Sequence, residues 1–204
     1  MDVFLSLSAQ QAHSFLTPLN GKTTTFLVDG RQTNLSLVRN IASMTAMTAR
    51  GFAIFDADAF CSSNSVEILS ALTLEAAKST HIYLPEPGSS IETELPRFIR
   101  TGSEVFMIES LNTIYHLFSS SGTNSRSRKF AFAVVSLSYL ARTSGKTGLF
   151  IMYRREKIMR AGGGGSISDL SDTTVSAETT GSGLLMKCER GTAWPDGRFS
   201  LRGP

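Results

Sequence analysis

An α/β fold is what this sequence predicts: a mainly parallel, twisted sheet with helices on both faces, extended by antiparallel strands towards the carboxy terminus. Three observations predict it. From residue 23 to residue 153, short β-branched apolar runs alternate with amphipathic helical stretches, as in βαβ units joined by right-handed crossovers. The runs at 104–108 and 147–153 are apolar without alternation, which is how strands covered on both faces read. After Thr173 the helical period disappears, and short strand-like runs separated by Gly-containing turns replace it.

Each element has its own local reason. Residues 1–16 mix Phe4, Leu5, Leu7, Phe15 and Leu16 with polar positions and suit a short helix packed on a sheet edge. Residues 23–28 are β-branched and aromatic, hence a strand. Gly30 turns the chain, and a helix follows over 35–49, with Leu37, Ile41, Met44 and Met47 three or four apart. Residues 51–55 form an apolar strand ending in Asp56-Ala57-Asp58. Val66, Ile68, Leu69, Leu72, Leu74 and Ala77 predict one helix over 65–78. A short strand over 81–84 is stopped by Pro85-Glu86-Pro87-Gly88. A helix over 91–99, the strand 104–108 and a helical turn over 112–118 come next. The Ser-rich stretch 119–127 predicts a mobile loop, residues 130–143 a helix, and residues 147–153 a second buried strand. Residues 154–171 are basic, then Gly-rich, and 173–177, 183–188 and 198–201 read as the antiparallel strands.

With 204 residues and 22.1 kDa the chain predicts one domain over 1–204. Hydrophobic residues make up 41%, enough for a substantial core, and charged residues only 18%. A net charge of +3 permits a nucleic-acid partner without arguing for one, so local clustering of cations decides. Cys61 and Cys188 build neither a disulfide framework nor a metal quartet. His13, His81 and His116 lack metal-ligand spacing, so no metal is expected. No apolar run reaches the ~18 residues of a membrane span, and the N-terminus lacks the basic start of a signal peptide. A soluble cytoplasmic protein with no membrane partner is expected.

Residues 24–42 carry the strongest functional signal. A strand, a turn at Gly30 and a helix make the frame of a phosphate-binding loop, whose working form is G-x-x-x-x-G-K-[ST]. Here Gly30, Arg31, Gln32, Thr33 and Asn34 run through the loop, Leu35 stands in place of the second Gly, and Ser36 stands in place of the Lys. A degenerate nucleotide site follows, with weak or absent binding of ATP and Mg²⁺ as its expectation. Gly21-Lys22-Thr23 and Gly145-Lys146-Thr147 spell the end of the motif, but both precede strands, whereas the motif opens a helix. They read as turns that start strands.

Asp56, Asp58 and Glu109 fall at the carboxyl ends of predicted strands, where open α/β sheets bind ligands. They read as a remnant cation or water-activating site, or as plain capping carboxylates. Two basic clusters stand out. Arg126, Arg128 and Lys129 lie in the Ser-rich loop, and Arg154, Arg155, Lys157 and Arg160 flank glycines 162–165. Cations beside a flexible tract can follow a phosphate backbone; Tyr153 is the nearby stacking aromatic.

These residues resemble the core of the RecA/RadA recombinase superfamily, including its RadB-like and KaiC-like paralogues. The resemblance spans residues 15–201 as an order of elements. Gly21–Gly30 is similar to the first core strand and phosphate loop, and residues 54–60 to the strand ending at the catalytic carboxylate, with Asp58 in that place. Residues 105–111 resemble the Walker B strand, with Glu109 replacing Asp. Residues 154–166 match a DNA-binding loop, and 187–195 a closing hairpin. The resemblance implies a non-catalytic or weakly active paralogue, assisting DNA recombination or repair by binding single-stranded DNA or a catalytic RecA/RadA-family relative. It also implies a homo-oligomer, with Trp194 as interface anchor or core filler. Two alternatives stay open: a KaiC-like regulatory module without DNA, and an ATPase using Arg31 or Lys22 as its phosphate cation.

Overall fold

The computed structural model describes residues 9–70, 72–100, 102–118, 123–154, 170–180, 183–191 and 199–201. In chain order these form α1 (Ala9–Leu16), a 3-10 turn (Thr17–Leu19), β1 (Thr23–Val28), α2 (Arg31–Met47), β2 (Phe52–Asp56), α3 (Phe60–Ser63), α4 (Ser65–Leu69), α5 (Leu74–Lys78), β3 (Thr80–Tyr83), α6 (Ile91–Ile99), β4 (Val105–Glu109), α7 (Leu111–Leu117), α8 (Thr123–Ser144), β5 (Thr147–Tyr153), β6 (Thr173–Thr180), β7 (Gly183–Arg190) and β8 (Phe199–Leu201). The strands join one eight-stranded sheet in the order β3-β2-β4-β5-β1-β6-β7-β8. Strands β1 to β6 are parallel, while β7 and β8 pair antiparallel to their neighbours. This is the α/β class expected, with β7 and β8 as antiparallel strands on one edge; residues 173–177, expected among the antiparallel strands, instead run parallel to β1.

Both faces of the central strands are covered, which is why their sequences do not alternate. Successive residues of β4 serve opposite cores: Val105 and Met107 face one, Phe106 and Ile108 the other. The first core gathers α1 and α2 through Phe15, Leu16, Leu37 and Ile41. The second gathers α6, α7 and α8 through Phe98, Ile114, Phe130 and Leu137. In the second core Phe55, Phe98, Phe106 and Phe150 form a chain of rings with centroids 5.3–6.4 Å apart. Each fully buried Phe contributes about 1.5–3 kcal/mol. Gly148 makes the layer possible: a Cβ there would lie 2.7 Å from the Phe106 ring and 2.9 Å from the Thr23 methyl.

Opposite the carboxyl ends, Asp172 ties three elements together. It accepts from Thr23 N at 2.8 Å, Thr23 Oγ1 at 3.0 Å and Arg142 Nη2 at 2.6 Å. Burial alone would raise its carboxyl, but these donors bring it below its ordinary value.

The structure corrects four expectations. Segment α1 packs on α2 rather than on a sheet edge, burying Ala12, Phe15 and Leu16. The helix expected at residue 35 begins at Arg31, because Thr33 and Asn34, both buried, have side-chain partners on other elements that hold the extra turn. The single helix expected over 65–78 is split into α4 and α5. Thr73 caps α5 by accepting from Ala76 N, and Val66 and Leu74 are left exposed. The loop expected over 119–127 gives way from Thr123 to α8. Its first turns are anchored by buried Ser127, by Arg126 donating to Phe118 O at 3.1 Å, and by a Lys129–Glu92 ion pair. Arg126, Arg128 and Lys129 therefore sit on a helix.

Candidate functional site

Only Asp29 and Gly30 separate β1 from α2. Gly30 is extended and makes no side-chain cap. The link is shorter than the run of successive amides, turned to one point, from which a phosphate cradle is built. Gln32 is exposed on the first turn of the helix, and Ser36 is half-buried, its carbonyl taken by Asn40. Arg31 lies over the Phe60 ring at 5.9 Å. Thr33 shares a hydrogen bond with Thr179 at 2.9 Å. Of the loop residues named from sequence, Asn34 alone turns to the carboxylates.

Asn34 is fully buried. Its Nδ2 donates to Glu109 Oε1 at 2.9 Å and to the Tyr153 hydroxyl at 2.7 Å. The Tyr153 hydroxyl in turn donates to Glu109 Oε1 at 3.2 Å. Tyr153 is held at the end of β5 by Asn112, whose Oδ1 accepts from Tyr153 N at 2.8 Å. One amide and one phenol thus close on one oxygen of a buried carboxyl. Burial first, then contact with Asp58 and the charge of Asp56, pushes the Glu109 carboxyl up to about 9, against the opposing pull of Tyr153. Burial and the Glu109 charge likewise push the Tyr153 phenol up.

Asp56 lies beside Glu109 in the β2–β4 register. It caps α3, accepting from Cys61 N at 3.1 Å, Ser62 N at 2.7 Å and the Ser62 hydroxyl. Asp58 is exposed, accepting from Phe60 N at 3.2 Å and Thr113 Oγ1 at 3.3 Å. Burial and the surrounding carboxylates raise the Cys61 thiol. One donor atom each from Asp56, Cys61 and Glu109 lies within 4.8 Å of the others. The expected carboxylates do converge, but Cys61, Asn112 and the hydroxyl role of Tyr153 were missed. A Cys five residues after Asp56, on the next turn, was the available signal.

The tripeptides at 21–23 and 145–147 start β1 and β5 as expected, with Gly21 and Gly145 at φ +66° and +67°. They belong to the far end of the sheet, where Lys146 Nζ donates to Ile99 O at 2.8 Å. Arg154 pairs with Asp29, Glu178 and Glu189 at 3.7, 3.4 and 3.7 Å. Arg155, Lys157, Arg160 and Trp194 lie outside the described residues. Among the described residues, no helix is long and apolar enough to cross a membrane.

No family model matches the chain, and no curated protein matches it by sequence. Among solved structures, the crystal structure of the RadB recombinase superposes with a TM-score of 0.59 over 96% of this chain and 96% of that chain, at 12% identity. The fold is that of the RadB recombinase structure. The likeness concerns the arrangement of elements, and the Asn34–Glu109–Tyr153 cluster is described from this chain alone.

Proposed function

We propose that the chain is a RecA/RadA-like paralogue that does not turn over nucleotide and serves DNA recombination or repair by engaging a catalytic relative. The observation that carries the reading is the direct contact of Asn34 with Glu109 behind a two-residue β1–α2 link. In phosphoryl-transfer sites a loop amide cradle, a Lys and a metal-holding carboxylate act together. Here the link is shorter than a cradle, Ser36 stands in the Lys place, and the carboxyl is occupied by an amide and a phenol.

A protein partner is favoured over DNA by two features. Arg154, the described cation of the basic segment, is already surrounded by three carboxylates. On α8, Phe132, Val135 and Tyr139 stand 75%, 50% and 65% exposed along one helix face, an apolar stripe of the kind found at interaction sites. Single-stranded DNA, held by Arg155, Lys157 and Arg160, remains the second reading.

Calorimetry with Mg·ATP tests the nucleotide part. A Kd weaker than ~0.1 mM, about −5.5 kcal/mol, is expected. Micromolar binding with hydrolysis lost in Glu109→Gln overturns it and restores the ATPase alternative. Titration of a catalytic RecA-type protein with the native chain and with Phe132→Ser/Tyr139→Ser tests the partner, and equal binding by both removes the α8 stripe.

A further inference from the structure

We propose that Asp56, Cys61 and Glu109 hold a divalent transition-metal ion of the zinc class, bound by the protein alone and without nucleotide. The three side chains are fully buried, and their donor atoms lie within 4.8 Å of one another. Around a tetrahedral zinc, with Zn–S about 2.3 Å and Zn–O about 2.0–2.2 Å, donor atoms stand roughly 3.5 Å apart. Binding therefore needs the cluster to close by no more than about an ångström.

Three further observations point to a cation. First, Glu109 Oε2 is buried with no hydrogen-bond partner, and so is Oδ1 of the adjoining Asn34. An acceptor left without a donor is costly in an interior, and a cation held at Glu109 Oε2 would satisfy it. Second, the other carboxylate oxygens are already oriented. Asn34 and Tyr153 donate to Glu109 Oε1, and Ser62 donates twice to Asp56 Oδ2. Asp56 Oδ1 takes one donor, Cys61 N, and keeps a lone pair. Donors that fix ligand carboxylates from behind are the usual outer shell of a metal site. Third, exposed Asp58 touches Glu109 and sets a further carboxylate at the solvent side of the cluster.

The donor set selects the ion. A thiolate beside two carboxylates suits zinc and its transition-metal neighbours. Magnesium and calcium require shells of oxygen. Binding as a thiolate requires Cys61 to give up its proton to solvent as the ion enters.

The test uses the full chain, stripped with chelator and free of any affinity tag, with no nucleotide present. Zinc is titrated against a chromophoric competitor, and cobalt is added for its thiolate charge-transfer band. The native chain is expected to take one equivalent, with melting temperature rising on zinc addition. Cys188→Ser leaves Cys61 as the single thiol of the chain, so a thiolate–cobalt band retained in that variant assigns the ligand without altering the site. Its disappearance there overturns the proposal. Cys61→Ser and Glu109→Gln are expected to weaken zinc by 100-fold or more, and Tyr153→Phe by about 10-fold through the outer shell. Zinc binding that survives Cys61→Ser unchanged, or no binding by the native chain, overturns it equally.

Discussion

Asn34 Nδ2 lies 2.9 Å from Glu109 Oε1, although 75 residues separate the two in the chain. The contact joins the first turn of α2 to the end of β4. Truncating Asn34→Ala strands the Glu109 oxygen with one donor and opens a small void. A loss of about 2 kcal/mol is expected, read as a lower denaturant midpoint with unchanged slope. Asn34→Asp should cost more, because it sets a carboxylate against a buried carboxyl. A neutral result in both variants would show that the contact carries no stability.

The basic segment can be divided by salt dependence. Arg154 is held by Asp29, Glu178 and Glu189, so Arg154→Ala should leave any salt slope for single-stranded DNA unchanged. Arg155→Ala/Lys157→Ala/Arg160→Ala together should lower it by up to about 2.1, at roughly 0.7 per phosphate contact. Fluorescence anisotropy at several salt concentrations reads both. A slope that falls with Arg154→Ala alone would mean that its carboxylate partners release it for DNA.

Acid should loosen the clamp at the opposite end of the sheet. Asp172 titrates below its ordinary value of 3.8 when folded. The unfolded chain therefore binds the proton first, and the stabilisation is present above about pH 4 and lost as pH falls below it. Asp172→Asn should remove about 1–2 kcal/mol at pH 7, discounted because Arg142 is well exposed. The gap between variant and native chain should shrink towards pH 3. A pH-independent gap in thermal melts would assign the loss to packing instead.

Gly148→Ala tests the closest approach in the sheet. Its Cβ would meet the Phe106 ring at 2.7 Å and the Thr23 methyl at 2.9 Å, both on rigid, fully covered strands. Overpacking by one methyl should cost about 1–3 kcal/mol. Adding Phe106→Leu, which frees ring volume, should recover part of that loss if the clash is the cause.

The bounds of β1, α6 and β5 coincide with those read from local pattern. Their signals are self-contained: β-branched content in Thr23–Val28, 3.6-residue spacing in Ile91–Ile99, and an unbroken apolar run in Thr147–Tyr153. The α/β class follows from such runs alternating along the chain, and the antiparallel edge from the lost helical period after Thr173. Tertiary contacts decided what the local pattern could not express. Polar Thr33 and Asn34 carry no helical stripe, yet α2 starts before them because Thr179, Glu109 and Tyr153 receive their side chains. The apolar series at 65–78 reads as one helix, yet Thr73 caps a new one and leaves Leu74 in solvent. The site is likewise legible in part. Asp56, Asp58 and Glu109 announce themselves at the ends of strands and Cys61 follows Asp56 on the next helix, whereas Asn34 and Tyr153 reach them only because parallel crossovers bring distant strand ends to one edge. Propensity and periodicity act over a few residues. Convergence across 75 or 119 residues depends on strand order and register, which are settled when both faces of the sheet are buried.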